Sequence, residues 1–353
     1  MRLFKPATVL LAPAAAGALA LAAAVPAAAS PSESARAASW HTSFQVAGPN
    51  GPAFTAVTTT SGSSAWAFEA SGGAAPGAFR FNGSRWTRHA FPAGRGDFVT
   101  SASASSASNV WAFTFHGLVL RFNGTSWAKV KKFSKPIGSG LAISSTDVWV
   151  FGSPGTGTWH FNGHGWTRSL TGKGLEGASA LSASSIWAFG GTDVAHWNGK
   201  AWTKTSVARL LPKNTQLSHS FVAGIYAASA HSVYASASGG RQDEGGPLVV
   251  LHFNGLRWSR VAEDTSVGGP AAVIPDGRGG LWIPVDTGVP PSGSMLHFFR
   301  GHIANVPLPF SPAHIALFGA AIGKHTTAAL TVGFTRKSVG ARTTTAVILR
   351  FAA

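Results

Sequence analysis

Apolar positions along this chain come in short bursts that repeat in a fixed order. A stretch of small residues (Phe98-Val99-Thr100-Ser101-Ala102-Ser103-Ala104) leads into an aromatic run (Val110-Trp111-Ala112-Phe113). An aromatic-Asn-Gly turn and a Trp follow (Phe122-Asn123-Gly124-Thr125-Ser126-Trp127). The turn and its Trp return as Phe81-Asn82-Gly83-Ser84-Arg85-Trp86 and Phe161-Asn162-Gly163-His164-Gly165-Trp166. They recur again as Trp197-Asn198-Gly199-Lys200-Ala201-Trp202 and Phe253-Asn254-Gly255-Leu256-Arg257-Trp258. Each unit reads as four short strands: a small-residue strand, an aromatic strand, a third ending at the Asn-Gly, and a fourth opening on the Trp.

Short strands repeating at about 45 residues predict an all-β fold, a β-propeller of four-stranded antiparallel blades. The second-strand aromatic falls at Trp66, Trp111, Trp149, Trp187, Tyr234 and Trp282, with Leu330 in a degenerate seventh unit. The fourth-strand Trp falls at Trp86, Trp127, Trp166, Trp202 and Trp258, with Ile303 in the sixth unit. Counted with Trp40, these two positions absorb eleven of the 13 tryptophans, and Trp159 and Trp197 fall on third strands. Trp40 precedes an inner strand at 54–60 much as Trp86 precedes 98–104, while 347–351 reads as a third strand with no fourth behind it. Residues 39–353 are therefore expected to form a single seven-bladed propeller whose last blade is closed by the N-terminal strand. Such closure removes the sheet edges that would otherwise recruit other chains.

Small residues suit strands crowded around a central axis, and large aromatics between blades supply most of the packing. The Asn-Gly pair is expected to make a tight hairpin, since both residues tolerate positive φ. A Trp stripe can be a sugar platform, but tryptophans at fixed repeat positions are expected to be core.

Residues 1–29 read as an export signal: Arg2 and Lys5, an apolar stretch over 9–25, then Ala27-Ala28-Ala29 as a small-x-small cleavage pattern. Residues 30–38 read as a flexible leader. Pro13 and Pro26 and the weak hydrophobicity of Ala argue against a retained anchor, so no integral membrane span is expected after cleavage. The sequence contains no cysteine, hence no lipidated Cys and no disulfide. Without residues 1–29 the chain keeps 26 basic against 12 acidic side chains, a charge of +14. A basic exported protein is expected to meet glycan or an anionic wall polymer rather than nucleic acid, and to be secreted, extracellular and monomeric.

Val110-Trp111-Ala112-Phe113 followed by Leu118-Val119-Leu120-Arg121-Phe122-Asn123-Gly124-Thr125-Ser126-Trp127 resembles the tectonin-type propeller repeat, a family that contains glycan-binding lectins. The Asn-Gly-x-x-Trp hairpin is also similar to the Asp-box turn of sialidase-like propellers, although Asn replaces Asp and the preceding Ser is absent. Pro275-Asp276-Gly277-Arg278-Gly279-Gly280-Leu281-Trp282 looks like the repeat of virginiamycin B lyase-type propellers. These likenesses imply a binding module, with a secreted lyase or glycosidase as the alternative and a protein-interaction scaffold as the third reading. The chain supplies no catalytic signature. Both tyrosines, Tyr226 and Tyr234, are absorbed by packing positions, and the 13 histidines show no metal-ligand spacing.

Variable loops on a rigid scaffold carry function, and here these are the second-to-third and blade-to-blade links, which share one face. The opposite face holds the first-to-second links and the Asn-Gly turns. Blade 5 departs furthest from the repeat, with a long basic loop over 206–220 and a second-to-third loop containing Arg241, Gln242, Asp243 and Glu244. These four are candidate binding residues, together with Lys131 and Lys132 in the blade 2 exit. A cofactor is not expected. If a divalent cation binds, Asp243 and Glu244 with Glu263 and Asp264 of the next blade-to-blade loop are the candidate ligands. Two residues before the hairpin Asn stand Arg80, Arg121, His160, His196 and His252, with Arg350 matching and His297 fitting if blade 6 carries a bulge. They form a rim of titratable cations, or each bonds the carbonyls of its own hairpin; the second is the simpler expectation.

Overall fold

The computed structural model describes residues 38–352, apart from 49, 153–154, 171–173, 214–218, 240–245, 266–268, 271, 287–292, 312–313, 324–325, 339–340 and 342. Seven antiparallel sheets follow one another along the chain. Blade 1 runs Ala53–Ser61, Ser64–Ala70, Gly77–Phe81 and Trp86–His89, and blades 2 to 5 repeat that up-and-down order. In blade 6 the innermost position is shared by two short segments, Gly269–Pro270 and Ile274–Pro275, both paired with Leu281–Asp286. Pro is tolerated there because the innermost strand is an edge with no neighbour on its axial side.

Blade 7 closes the ring as the sequence predicts. Ser39–Gly48 lies antiparallel to Thr344–Ala352, with Trp40 opposite Phe351 and Gly48 opposite Thr344. Trp40 is 3% exposed, and its indole meets Trp282 edge-on at 5.5 Å.

The tryptophans are core. Trp66, Trp111 and Trp149 are almost completely buried. Fourth-strand rings pack edge-on against the second-strand ring of the preceding blade: Trp127 on Trp66 at 5.1 Å, Trp202 on Trp149 at 5.4 Å and Trp258 on Trp187 at 5.9 Å. Edge-to-face contact is the favoured aromatic geometry, and here it joins blades that share no backbone ladder.

Nearer the axis, hydroxyls join the blades. Thr55 Oγ1 donates to the Val99 carbonyl at 2.8 Å and Thr100 Oγ1 to Ile137 at 3.2 Å. Ser103 Oγ accepts from the Ala142 N–H at 2.9 Å, and Ser179 Oγ from Ala227 at 3.1 Å. The inner strands of neighbouring blades are not paired to each other, so short side chains with a donor and an acceptor bridge backbone that would otherwise be left unbonded.

The Asn-Gly turns differ from the expected two-residue hairpin. Phe81 pairs with Trp86 and Phe122 with Trp127, leaving four residues in each loop. Only the glycine takes positive φ, for example +99° at Gly83 and +103° at Gly124. In all five copies the Asn Oδ1 accepts the N–H groups two and three residues on, at 2.9–3.1 Å. That side-chain bonding holds Asn out of the left-handed region and makes an Asx turn. The tight form does occur in blade 6, where Asn is missing: Phe299 pairs with His302 across Arg300 and Gly301, at φ +50° and +86°.

Candidate functional site

The row of Arg and His residues sits on the regular-turn face. Each lies directly across the ladder from a second-strand residue: Arg80 from Trp66, Arg121 from Trp111, His160 from Trp149 and His196 from Trp187. His252, His297 and Arg350 lie likewise across from Tyr234, Trp282 and Leu330. His160 stacks on Trp149 at 4.2 Å and His196 on Trp187 at 4.4 Å, while the Arg121 guanidinium lies 5.5 Å above the Trp111 ring. His297 joins the row without a bulge, because its hairpin extends the ladder by one pair.

Their hydrogen bonds run to the first-to-second links rather than to their own hairpins. Arg121 Nε donates to Asn109 Oδ1 at 2.9 Å, and His160 Nε2 meets Asp147 Oδ1 at 2.9 Å. His196 meets Ser185 Oγ at 3.2 Å and His252 meets Ser232 Oγ at 3.0 Å. The signal was present in the sequence as a Ser, Asn or Asp two residues before the aromatic. Burial holds the His196 and His252 imidazoles below their ordinary pKa. Burial alone would raise the Asp276 carboxyl, but hydrogen bonds from His297 and from the Arg278 and Gly280 N–H groups, with the His297 charge, hold it below the usual value. The row is thus structural: stacked and half-buried, and hydrogen-bonded except at Arg80, whose Nε has no partner among the described residues.

The axial channel is lined by Ala, Ser, Thr and Gly, with a cavity of ≈ 1340 Å³ at the regular-turn end and ≈ 380 Å³ at the variable end. Among its described lining residues, only Glu176 and Tyr226 ionise. Burial, with Asp276 and Tyr234 nearby, raises the Tyr226 hydroxyl above its ordinary pKa, which disfavours the phenolate.

On the variable face, blade 2 carries exposed lysines and an exposed aromatic. Phe115 is 41% exposed and stacks on Phe98 at 5.0 Å. The next residue, His116, meets Asp97 at 3.2 Å, and Asp97 is buried and also accepts the N–H of Phe98 and His116. Lys131 and Lys132 end the exposed outer strand Trp127–Lys132; Lys131 Nζ lies 5.7 Å above the Phe133 ring and Lys132 donates to the His116 carbonyl. Gly117, at φ +86°, tucks under the 133–135 segment, where a Cβ would come within 2.6 Å of the Phe133 carbonyl oxygen. Lys135 is exposed as well. The patch therefore carries three lysines and an aromatic, while its one carboxylate is already engaged.

The blade 5 candidates part company. Arg241, Gln242, Asp243 and Glu244 lie outside the described residues. Glu263 and Asp264 end the outer strand Trp258–Asp264 rather than a loop, and Asp264 pairs with Leu248 beside the second-to-third connection. Glu263 forms an ion pair with Arg260 at 2.8 Å, and Asp264 is also engaged. The 206–220 loop is anchored at its start: Val207 and Leu211 are buried, and Arg260 donates two hydrogen bonds to the Leu210 carbonyl.

No protein-family model matches the chain and no curated protein matches its sequence. Solved structures do resemble it. YCF48 bound to D1 peptide is 12% identical with a TM-score of 0.61, over 89% of this chain and 97% of that one. YCF48 from Cyanidioschyzon merolae is 14% identical at TM-score 0.59, over 89% and 98%. The WD40 propeller domain of Doa1 is 10% identical at 0.61, over 88% and 96%. Likeness at such identity shows the fold alone: the chain is a seven-bladed β-propeller with WD40-type structural neighbours.

Proposed function

We propose that the chain is an exported, non-catalytic binding module whose variable face takes an anionic glycan or cell-surface polymer. The observation that carries this reading is the blade 2 patch, where Lys131, Lys132 and Lys135 are exposed on the same face as Phe115 and the local carboxylate, Asp97, is spent on His116 and backbone N–H groups. Cations beside an exposed ring suit a polymer bearing sugar faces and negative charge. Export rests on Arg2, Lys5, the apolar run and Ala27-Ala28-Ala29. The enzymatic alternative, a lyase or glycosidase, has less support: the Tyr226 phenolate is disfavoured, and no second acid accompanies Glu176 among the described channel-lining residues.

The test is binding of an anionic polysaccharide such as heparin, set against a neutral dextran, as salt rises from about 50 to 200 mM. Screening of exposed charges predicts steep weakening over that range. Lys131→Ala with Lys132→Ala should weaken binding, while Lys200→Ala with Arg257→Ala on the opposite face should leave it unchanged. The reverse pattern would place the surface on the regular turns.

One observation favours a second reading, a peptide or protein partner. Leu256 is 90% exposed beside a groove of ≈ 560 Å³ lined by Leu210, Phe253 and Trp258. A structural neighbour is described as bound to a peptide. Capture of peptides in preference to polysaccharide, lost in Leu256→Asp, would favour that reading.

A further inference from the structure

Beyond the lysine patch, the variable face carries a cleft of ≈ 490 Å³ formed by blade 7 and the link that enters it. Its wall is built from four parts of the chain: the N-terminal strand at Ala47 and Gly48, the link at Phe310 and His314, the end of the second strand of blade 7 at Arg336 and Lys337, and the start of its third strand at 343–345. Arg336 stands across the ladder from Thr344, and Thr344 from Gly48 of the N-terminal strand. Gly48 adds no side chain to that row; a Cβ there would meet only Pro52, at 3.6 Å.

Arg336 is half-buried and lines the cleft; of the arginines, it shares with Arg80 a buried Nε that makes no hydrogen bond among the described residues. Buried donors are rarely left unpaired, and the residue that carries this one lines the cleft. Thr344 spends its hydroxyl on the Pro52 carbonyl at 2.8 Å, which leaves Thr343 and Thr345 as the hydroxyls at the rim.

The sequence adds that this part of the chain supplies no carboxylate partner. Asp286 is the last acidic residue; between it and Ala353 stand Arg300, Lys324, Arg336, Lys337, Arg342 and Arg350 with no Asp or Glu. The strand that closes blade 7, Ser39–Gly48, contains none either. Blade 7 therefore carries positive charge with no acidic residue of its own, and a half-buried Arg336 lines its cleft.

We infer that this cleft is a binding site for an oxyanion group, a phosphate monoester or a carboxylate, held by Arg336 with Lys337, His314, Thr343 and Thr345, and with Phe310 beside it. A guanidinium matches the paired oxygens of either group, and charge-assisted bonds of this kind are the strong ones. The inference rests on the anionic-partner reading and adds a defined pocket that recognises one charged group, where the lysine patch holds a polymer by its overall charge.

The experiment is calorimetric and NMR titration of the propeller with inorganic phosphate in one arm and glucuronate in the other. At least one should bind saturably and shift the Thr343–Thr345 backbone amides, and the arm that binds identifies the oxyanion. Arg336→Gln should weaken it by about tenfold or more, as loss of a charge-assisted contact predicts, and should melt no lower than wild type because Nε gives up no protein partner. Lys131→Ala with Lys132→Ala should lose the polymer and keep the small oxyanion. Saturable binding of neither probe, or equal binding by wild type and Arg336→Gln, overturns the inference. Polymer binding that survives that result would leave the wider anionic reading standing.

Discussion

Truncating Trp40 tests whether the ring is held shut by the residue that closes it. The side chain is 3% exposed and packs against Trp282 at 5.5 Å and Phe351 at 5.6 Å, within a cluster that includes Met295, Leu317 and Leu349. Trp40→Ala empties that site, a change that costs about 3–5 kcal/mol in well-packed cores. Domains are stable by about 5–15 kcal/mol in all, so the loss is a large fraction of the total. With an unfolding entropy near 2.1 cal/mol/K per residue, a propeller of this length should melt roughly 5–8 °C lower. Trp40→Phe separates volume from hydrogen bonding. The indole Nε1 is buried with no acceptor among the described residues, so the phenyl ring gives up area but no bond and should cost under about 1.5 kcal/mol. His41→Ala, exposed on the other side of the strand, is the control and should stay within about 0.5 kcal/mol. Equilibrium urea denaturation followed by circular dichroism reads all three. A Trp40→Ala variant as stable as the His41→Ala control would refute the closure argument, since blade 7 would then hold without its outer strand.

The Arg and His row makes stability depend on pH. His196 and His252 are held below their ordinary pKa by burial, so the unfolded chain binds more protons than the folded one just below the ordinary value. Their contribution is complete above the ordinary histidine range and is lost as pH falls through it toward their folded values. The melting temperature should therefore drop between about pH 7.5 and 5.5, and a His196→Gln, His252→Gln double variant should flatten that slope; an unchanged slope would assign the dependence elsewhere. In the Asx turns, Asn123→Ala removes the acceptor for the Thr125 and Ser126 N–H groups and should cost about 1 kcal/mol by denaturation. Gly124→Ala should cost at least as much, because φ is +103° and a new Cβ would stand 3.0 Å from that of Ser108. A neutral effect of Asn123→Ala would show that the backbone turn stands without its side chain.

Blade number, closure and the burial of the tryptophans were legible in the sequence because each is written once per repeat. A short strand, an Asx turn and a Trp at constant spacing depend on local bonding and on a neighbour that carries the same pattern, so reading one unit reads them all. The turn residues were recognised by type, yet their conformation was decided by a competition between Asn Oδ1 and the backbone for two N–H groups. Whether a His of the third strand bonds its own hairpin or a Ser, Asn or Asp of the first-to-second link depends on which lies beside it once the sheet has twisted. Residue spacing does not encode that. The blade 7 cleft goes further. His314 and Arg336 meet when Ile315–Ile322 pairs with Ala329–Arg336, and Gly48 joins them when the N-terminal strand pairs with Thr344–Ala352. The sequence contained the charge imbalance of blade 7. Only the assembled blade could half-bury one of those charges beside a cleft, because burial belongs to the packed neighbours and not to any segment alone.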